Sequence, residues 1–84
     1  MIFQKKNLSL QQNHNIMLVE QIGKIIRTRR KELKITQPYL AELAEVSVNT
    51  LCKLERGQGN PSLEVLGKLS DVLGMELKLE IKKV

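Results

Sequence analysis

Residues 36–56, TQPYLAELAEVSVNTLCKLER, decide the fold of this chain, because they predict two short helices joined by a tight turn. Thr36 is a candidate N-cap, whose hydroxyl accepts one of the amide protons that a first helical turn leaves unpaired. Small and apolar residues then recur at helical spacing. Ser47 is the next candidate N-cap, and we expect its helix to run to about Arg56, where Gly57 ends it in the left-handed conformation.

The second of these helices has two faces of different chemistry. Leu51, Leu54 and Glu55 are three and four residues apart and share one face, and the leucines are expected to anchor it on the domain. The other face carries side chains of the length that reaches base edges in a DNA major groove. Its members are Val48, Asn49, Cys52, Lys53 and Arg56.

This stretch resembles the helix-turn-helix of the phage-repressor-like, or Xre, regulators, whose pattern is TQ..LA...GVS...L...E.G...PSL. The matching residues are Thr36, Gln37, Leu40, Ala41, Val46, Ser47, Leu51, Glu55, Gly57, Pro61, Ser62 and Leu63. The resemblance implies a mainly α, four-helix, lambda-repressor-like domain. Glu45 stands where the family has glycine in the turn, and a side chain on a left-handed residue costs on the order of 1 kcal/mol.

The resemblance also implies which residues contact double-stranded DNA. At matching family positions, the base-facing residues are Val48, Asn49, Thr50 and Lys53. Gln37, at the start of the preceding helix, is expected to hold a phosphate. Weaker candidates for contact with the DNA backbone are Thr36, Arg30, Arg56 and Gln58. Plainer interpretations make Lys53 a solvated charge and Thr50 a partner for a first-turn amide.

The composition fits a small aliphatic helical domain. The chain has 84 residues with one Phe and one Tyr, which favours a helical bundle over a sheet sandwich. Its net charge of +5 is concentrated in residues 24–34, where six basic residues accompany one acidic residue. Such a block indicates a polyanionic partner, or else an ordinary solvated face.

Several function classes are disfavoured by the residues present. One cysteine and one histidine form neither an intramolecular disulfide nor an ordinary zinc site. The sequence shows no nucleophile, base and acid set and no glycine-rich phosphate loop, so we expect no enzyme, metal or cofactor. No apolar run has the length of a membrane span and no signal peptide is recognisable, so we expect a cytoplasmic location.

The chain divides into residues 1–17, 18–74 and 75–84. The first part is rich in Gln and Asn, and we interpret it as a flexible N-terminal arm, with contact between its lysines and DNA phosphates as the alternative. The second part is the helix-turn-helix domain, whose first helix is expected over about 18–33.

The apolar stripe of this first helix contains an arginine. Its members are Val19, Ile22, Ile26, Arg30 and Leu33. An unpaired buried charge costs several kcal/mol, and Glu55 faces the same problem on the inner face of its own helix. An Arg30–Glu55 pair solves both problems, and the family resemblance implies the same pair. The alternative is that both side chains reach water at the edge of the domain.

A fourth helix is predicted to start at Pro61, together with Asn60 or Ser62, and to end at Gly74. Its expected inward stripe is Leu63, Leu66, Leu69 and Leu73, with Val65 and Val72 beside it. We interpret Gly67, within this helix, as a position of close packing.

Residues 75–84 are predicted to be a strand, because apolar and charged residues alternate there with a period of two. A single strand cannot satisfy its own amides, so we expect it to pair with its copy in a homodimer. The alternatives are an extension of the last helix and a disordered tail. The ending resembles that of HipB-like antitoxins, which implies a HipA-like kinase toxin as a further partner.

Together these features predict a transcriptional regulator, most simply a repressor, that binds operator DNA as a two-fold dimer with one helix of each subunit in a major groove. The alternative is an antitoxin whose main role is to neutralise a HipA-like kinase.

Overall fold

Four helices make up the computed structural model, which describes the backbone of residues 2–82 and the side chains of residues 17–82. They are α1 (Ile2–Glu32), α2 (Gln37–Ala44), α3 (Val48–Glu55) and α4 (Leu63–Leu73). Helices α1 and α2 each pack against both α3 and α4. The predicted mainly helical class is therefore confirmed. Among the described residues, no helix combines the length and the hydropathy needed to cross a lipid bilayer.

Each short helix begins at a hydroxyl N-cap. Thr36 Oγ1 accepts a hydrogen bond from the amide of Tyr39 at 3.2 Å, and Ser47 Oγ accepts one from the amide of Thr50 at 3.0 Å. Both caps agree with the sequence prediction. Ser62 caps α4 in the same way, so this helix begins two residues after Pro61 and not at the proline itself.

The first helix differs from its expected bounds. We expected it to start near residue 18, but α1 runs from Ile2 to Glu32, because residues 2–17 contain no glycine or proline to interrupt it. The backbone of the expected arm is thus helical, apart from residue 1, which lies outside the described residues. Contact between this segment and DNA stays a prediction.

The core is aliphatic and lies between the four helices. Its buried members are Ile26, Leu40, Ala41, Ala44, Leu51, Leu54, Leu66, Leu69 and Leu73. The exposed leucines, which do not belong to it, include Leu33, which we expected in the stripe of α1, Leu63, which we expected in that of α4, and Leu43 on α2. Leu33 follows the last residue of α1 and Leu63 is the first residue of α4, and side chains at helix ends have fewer neighbours to cover them.

The close helix packing lies at a different glycine from the one expected. A Cβ added at Gly67 would meet no atom within 4 Å, so the interpretation of Gly67 as a close-packing position is wrong. A Cβ at Gly23 would instead collide with the carbonyl oxygen of Leu54. Gly23 therefore allows the backbones of α1 and α3 to approach each other.

The C-terminal segment forms no strand in the single chain. Helix α4 ends at Leu73, and Gly74 caps it with a φ of 70°, as the sequence predicted. Residues 75–82 have no regular secondary structure, because a strand needs hydrogen bonds to a neighbouring strand and the described part of this chain offers none. The predicted strand is therefore not supported by the isolated chain, and residues 83–84 lie outside the described part.

Candidate nucleic-acid interface

Helix α3 presents one exposed face and buries the other. The exposed side chains are Val48, Asn49, Lys53 and Arg56, so the structure brings four of the predicted contact residues together. On the opposite face, Leu51 and Leu54 are almost fully buried. The two leucines thus pack α3 against the core, while its outer face is exposed to solvent.

Thr50, the fourth residue predicted to face the bases, already has a hydrogen-bond partner within the domain. Its side chain is half-buried. The Ser47 hydroxyl donates a hydrogen bond to Thr50 Oγ1 at 2.7 Å, and the Thr50 amide is the group that Ser47 caps. The Thr50 hydroxyl therefore already has a partner inside the N-terminal cap of α3.

Arg30 and Glu55 form a two-pronged ion pair between α1 and α3. Arg30 Nε donates to Glu55 Oε2 at 2.7 Å and Arg30 Nη2 donates to Glu55 Oε1 at 2.8 Å. A third donor, Arg30 Nη1, binds the carbonyl oxygen of Ile35 at 2.9 Å. Both charged residues are buried. Three of the five N–H donors of Arg30 are therefore used inside the domain, and its predicted contact with the DNA backbone stays a prediction.

Gln37 joins this pair to the start of α2. Its Nε2 donates to Glu55 Oε1 at 3.0 Å, and its Oε1 accepts a hydrogen bond from Cys52 Sγ at 3.4 Å. A continuous set of polar contacts therefore links α1, α2 and α3. Sequence reasoning missed this bridge. One amide proton of Gln37 is not used in these bonds, so its predicted phosphate contact stays a prediction.

These contacts keep both members of the ion pair charged. Burial raises the pKa of Glu55, but hydrogen bonds from Arg30 and Gln37, with the nearby charges of Arg30 and Arg27, bring its pKa below the ordinary value. The hydrogen bond to Glu55 raises the pKa of Arg30, since it outweighs the opposing effect of burial. Glu55 is consequently an ionised carboxylate at neutral pH.

The turn before α3 keeps a left-handed residue without a glycine. Glu45 has φ 56° and ψ 44°. Its amide donates to the carbonyl of Glu42, and the amide of Val46 donates to the carbonyl of Ala41 at 3.0 Å. Two of the carbonyls in the last turn of α2 are therefore satisfied, at a strain of about 1 kcal/mol for the Glu45 side chain.

The loop after α3 folds back beside the exposed face. Gly57 and Gly59 have φ values of 74° and 83°, and the amide of Gln58 donates to the carbonyl of Lys53 at 2.8 Å. The exposed Gln58 lies with Lys53 and Thr50 along one shallow cleft. The predicted backbone contacts Arg56 and Gln58 are thus next to the exposed face, whereas Thr36 serves as the cap of α2.

An exposed helix held behind a short helix and a tight turn is the arrangement of helix-turn-helix proteins, and the chain belongs to this family. The family profile, described as helix-turn-helix, matches residues 26–79. The match covers the end of α1, all of α2, α3 and α4, and the beginning of the C-terminal segment.

The relatives of this chain include two regulators from archaea and one repressor from a bacteriophage. An HTH-type transcriptional regulatory protein of Methanococcus maripaludis is 42% identical over 55 residues, which are 66% of this chain and 17% of that protein. The immunity repressor protein of Bacillus phage phi105 is 41% identical over 56 residues, or 67% of this chain and 39% of the repressor. An HTH-type transcriptional regulator of Methanothermobacter thermautotrophicus is 42% identical over 52 residues, or 62% and 75% of the two chains. This chain spans well under half the length of the first two.

Proposed function

We propose that this protein is a transcriptional repressor that binds operator DNA through the exposed face of α3. The observation that carries the proposal is the contrast between the two faces of this helix. Its inner face is fixed by Leu51, Leu54 and the Glu55 ion pair, while its outer face is open and polar. The names of the relatives, which include transcriptional regulators and a phage repressor, support the same function.

Each exposed residue of α3 has a chemistry suited to one base edge. The Asn49 amide pairs with the N6 and N7 atoms of adenine, and Lys53 donates to the O6 and N7 acceptors of guanine. Val48 offers an apolar contact to a thymine methyl group. At the start of α2, the free amide proton of Gln37 and the helix amides position a phosphate.

The functional unit that we propose is a two-fold dimer. Residues 18–74 form the DNA-binding domain, and residues 75–84 pair with the same segment of a second copy. Three apolar side chains of this segment, Leu77, Leu79 and Ile81, are exposed in the single chain, which supports a partner for them. Two α3 helices related in this way read half-sites about one helical turn of DNA apart.

Neutralisation of a HipA-like kinase toxin is the alternative function. No observation on the described residues favours it, because they show no feature that selects a kinase as partner. Repression through DNA binding is therefore the function that we propose.

The test begins with selection of duplexes from a random pool and continues with fluorescence anisotropy on the selected duplex and a shuffled one. We expect a preference of about a thousandfold or more for the selected duplex. Asn49→Ala and Lys53→Ala are each expected to lower this preference, since a good two-pronged base contact is worth about 1–3 kcal/mol of discrimination.

Lys68→Ala is the matched control, because it removes one exposed lysine from α4, which packs against α1 and α2. It should leave the preference unchanged. Equal, weak binding of the wild-type protein to selected and shuffled duplexes would contradict the proposed function. A uniform loss of affinity in Lys53→Ala, with the preference intact, would make Lys53 a phosphate contact and not a base contact.

A further inference from the structure

A cleft lies between α1 and the C-terminal end of α3, and it shares only Arg56 with the exposed face described above. Its volume is about 340 Å³, and it is lined by Glu20, Lys24, Arg27, Glu55, Arg56 and Gly57. A water molecule occupies about 30 Å³ in the liquid, so the cleft is large enough for a phosphate group. Its walls come from two helices that Gly23 and Gly57 bring close together: a Cβ at Gly57 would lie 2.7 Å from Glu20 Cγ.

Three cations line this cleft, and the charge of one of them, Arg27, also helps to lower the pKa of Glu55. Lys24, Arg27 and Arg56 are all exposed, and within the described part of the chain none of them lies within ion-pairing distance of a carboxylate. Glu55, although it lines the cleft, is already paired with Arg30. The remaining acid, Glu20, leaves an excess of positive charge.

Structural contacts account for only part of this arrangement, because the charge of Arg27 acts on Glu55 whereas Lys24 and Arg56 have no ion-pair partner among the described residues. Lys24 and Arg27 are three residues apart on α1, and like charges at this spacing destabilise a helix. By contrast, Arg29 has a structural role, since its Nε donates to the carbonyl of Leu73 at 2.9 Å at the end of α4. A group of unpaired cations around one opening is suited to an anion that approaches from solvent.

The position of the cleft identifies the source of that anion. Arg56 borders the cleft and is also exposed beside the outer face of α3, so the cleft adjoins the surface that we propose for DNA. We propose that the cleft binds a phosphate of the DNA backbone next to the bases that α3 contacts, with Lys24 and Arg27 supplying the contacts from α1. This inference rests on the proposed function and extends the DNA footprint from α3 onto α1.

Such a contact adds affinity that does not depend on base sequence. The logarithm of the binding constant falls as the logarithm of the salt concentration rises, and each neutralised phosphate makes this slope steeper by about 0.9. The cleft therefore contributes to the salt dependence of binding and leaves the preference between selected and shuffled duplexes unchanged.

The experiment measures binding to the selected and shuffled duplexes across a salt series for wild type, Arg27→Gln, Lys24→Gln and Glu20→Gln. We expect each cation variant to make the slope of log K against log salt concentration less steep, by up to about 0.9 for a complete contact. Between 1 M and 0.1 M salt, the affinity of such a variant then rises about eightfold less than that of the wild type. The loss should be equal on both duplexes. Glu20→Gln removes the opposing negative charge and should tighten binding to both.

Lys68→Gln is the control for removal of an exposed positive charge, and it should keep the wild-type slope. Arg27→Lys should restore the slope that Arg27→Gln loses, and matching thermal unfolding curves would exclude an effect on folding. If both cation variants keep the wild-type slope, or lose affinity for the selected duplex alone, the cleft is not a phosphate site. If the wild-type protein binds no duplex, the proposed function itself fails.

Discussion

At the scale of single residues, Glu55 accepts three side-chain hydrogen bonds from two other helices. It lies at the last position of α3 and accepts hydrogen bonds from Arg30 on α1 and Gln37 on α2. A buried carboxylate is expensive unless it is paired and hydrogen-bonded. Because both conditions are met, the position of α3 relative to the other two helices depends on one ionised side chain.

The stability of the domain should therefore fall in acid through Glu55. Its pKa in the folded protein lies below the ordinary value of 4.5, so its stabilising effect is complete above about pH 4.5 and is lost as the pH falls through the folded pKa. Arg30 stays protonated throughout this range, because its pKa is raised. Urea unfolding between pH 7 and pH 2.5, followed by circular dichroism, measures the loss.

Glu55→Gln should cost about 3 kcal/mol at pH 7, since it leaves the Arg30 charge buried without a counter-ion. The variant should also show a smaller decline in acid than the wild type. Glu64→Gln, which changes an exposed acid in the same way, should leave both quantities nearly unchanged. Parallel wild-type and Glu55→Gln curves across the whole pH range would contradict this account.

At the scale of helices, replacement by alanine should change the stability of the domain in opposite directions at two glycines. Gly23→Ala forces a methyl group against the backbone of Leu54, and overpacking of this kind costs about 1–3 kcal/mol. Gly67→Ala adds a methyl group in open space within α4, which should stabilise the domain by about 0.5–1 kcal/mol through better helix propensity. Thermal unfolding should show a lower midpoint for Gly23→Ala and a higher one for Gly67→Ala. Two shifts of the same sign would contradict the packing described here.

These glycines show where sequence reasoning works and where it stops. The caps Thr36 and Ser47 could be predicted because an N-cap depends on residues within one helical turn. Arg30 and Glu55 could be matched because each is a charge inside an apolar stripe and needs a partner. The close approach at Gly23 depends on how two helices cross, and no local pattern reports this. The bridge made by Gln37 was missed for the same reason, because its partners lie on another helix.

At the scale of the whole molecule, the single chain leaves an apolar surface uncovered. Leu79 and Ile81 are fully exposed, and Leu77 is 51% exposed. Met75, which begins this alternating series, packs against the core. In the proposed paired strand the side chains at 77, 79 and 81 lie on one side and form an apolar edge that a second copy covers. The strand over residues 75–84 and its pairing in a dimer stay predictions from the period of two, because residues 75–82 have no regular secondary structure in the single chain.

The double variant Leu79→Glu/Ile81→Glu should convert the proposed dimer into a monomer. Both side chains are solvent-exposed in the single chain, so the substitutions should not affect folding, whereas in paired strands they place four carboxylates on one small surface. Light scattering after gel filtration should give twice the 9.6 kDa chain mass for wild type and the single mass for the variant. Leu63→Glu, which changes an exposed leucine on α4, should remain dimeric. A dimeric double variant, or a monomeric wild type, would contradict pairing through residues 75–84, and the two half-sites would then need another explanation.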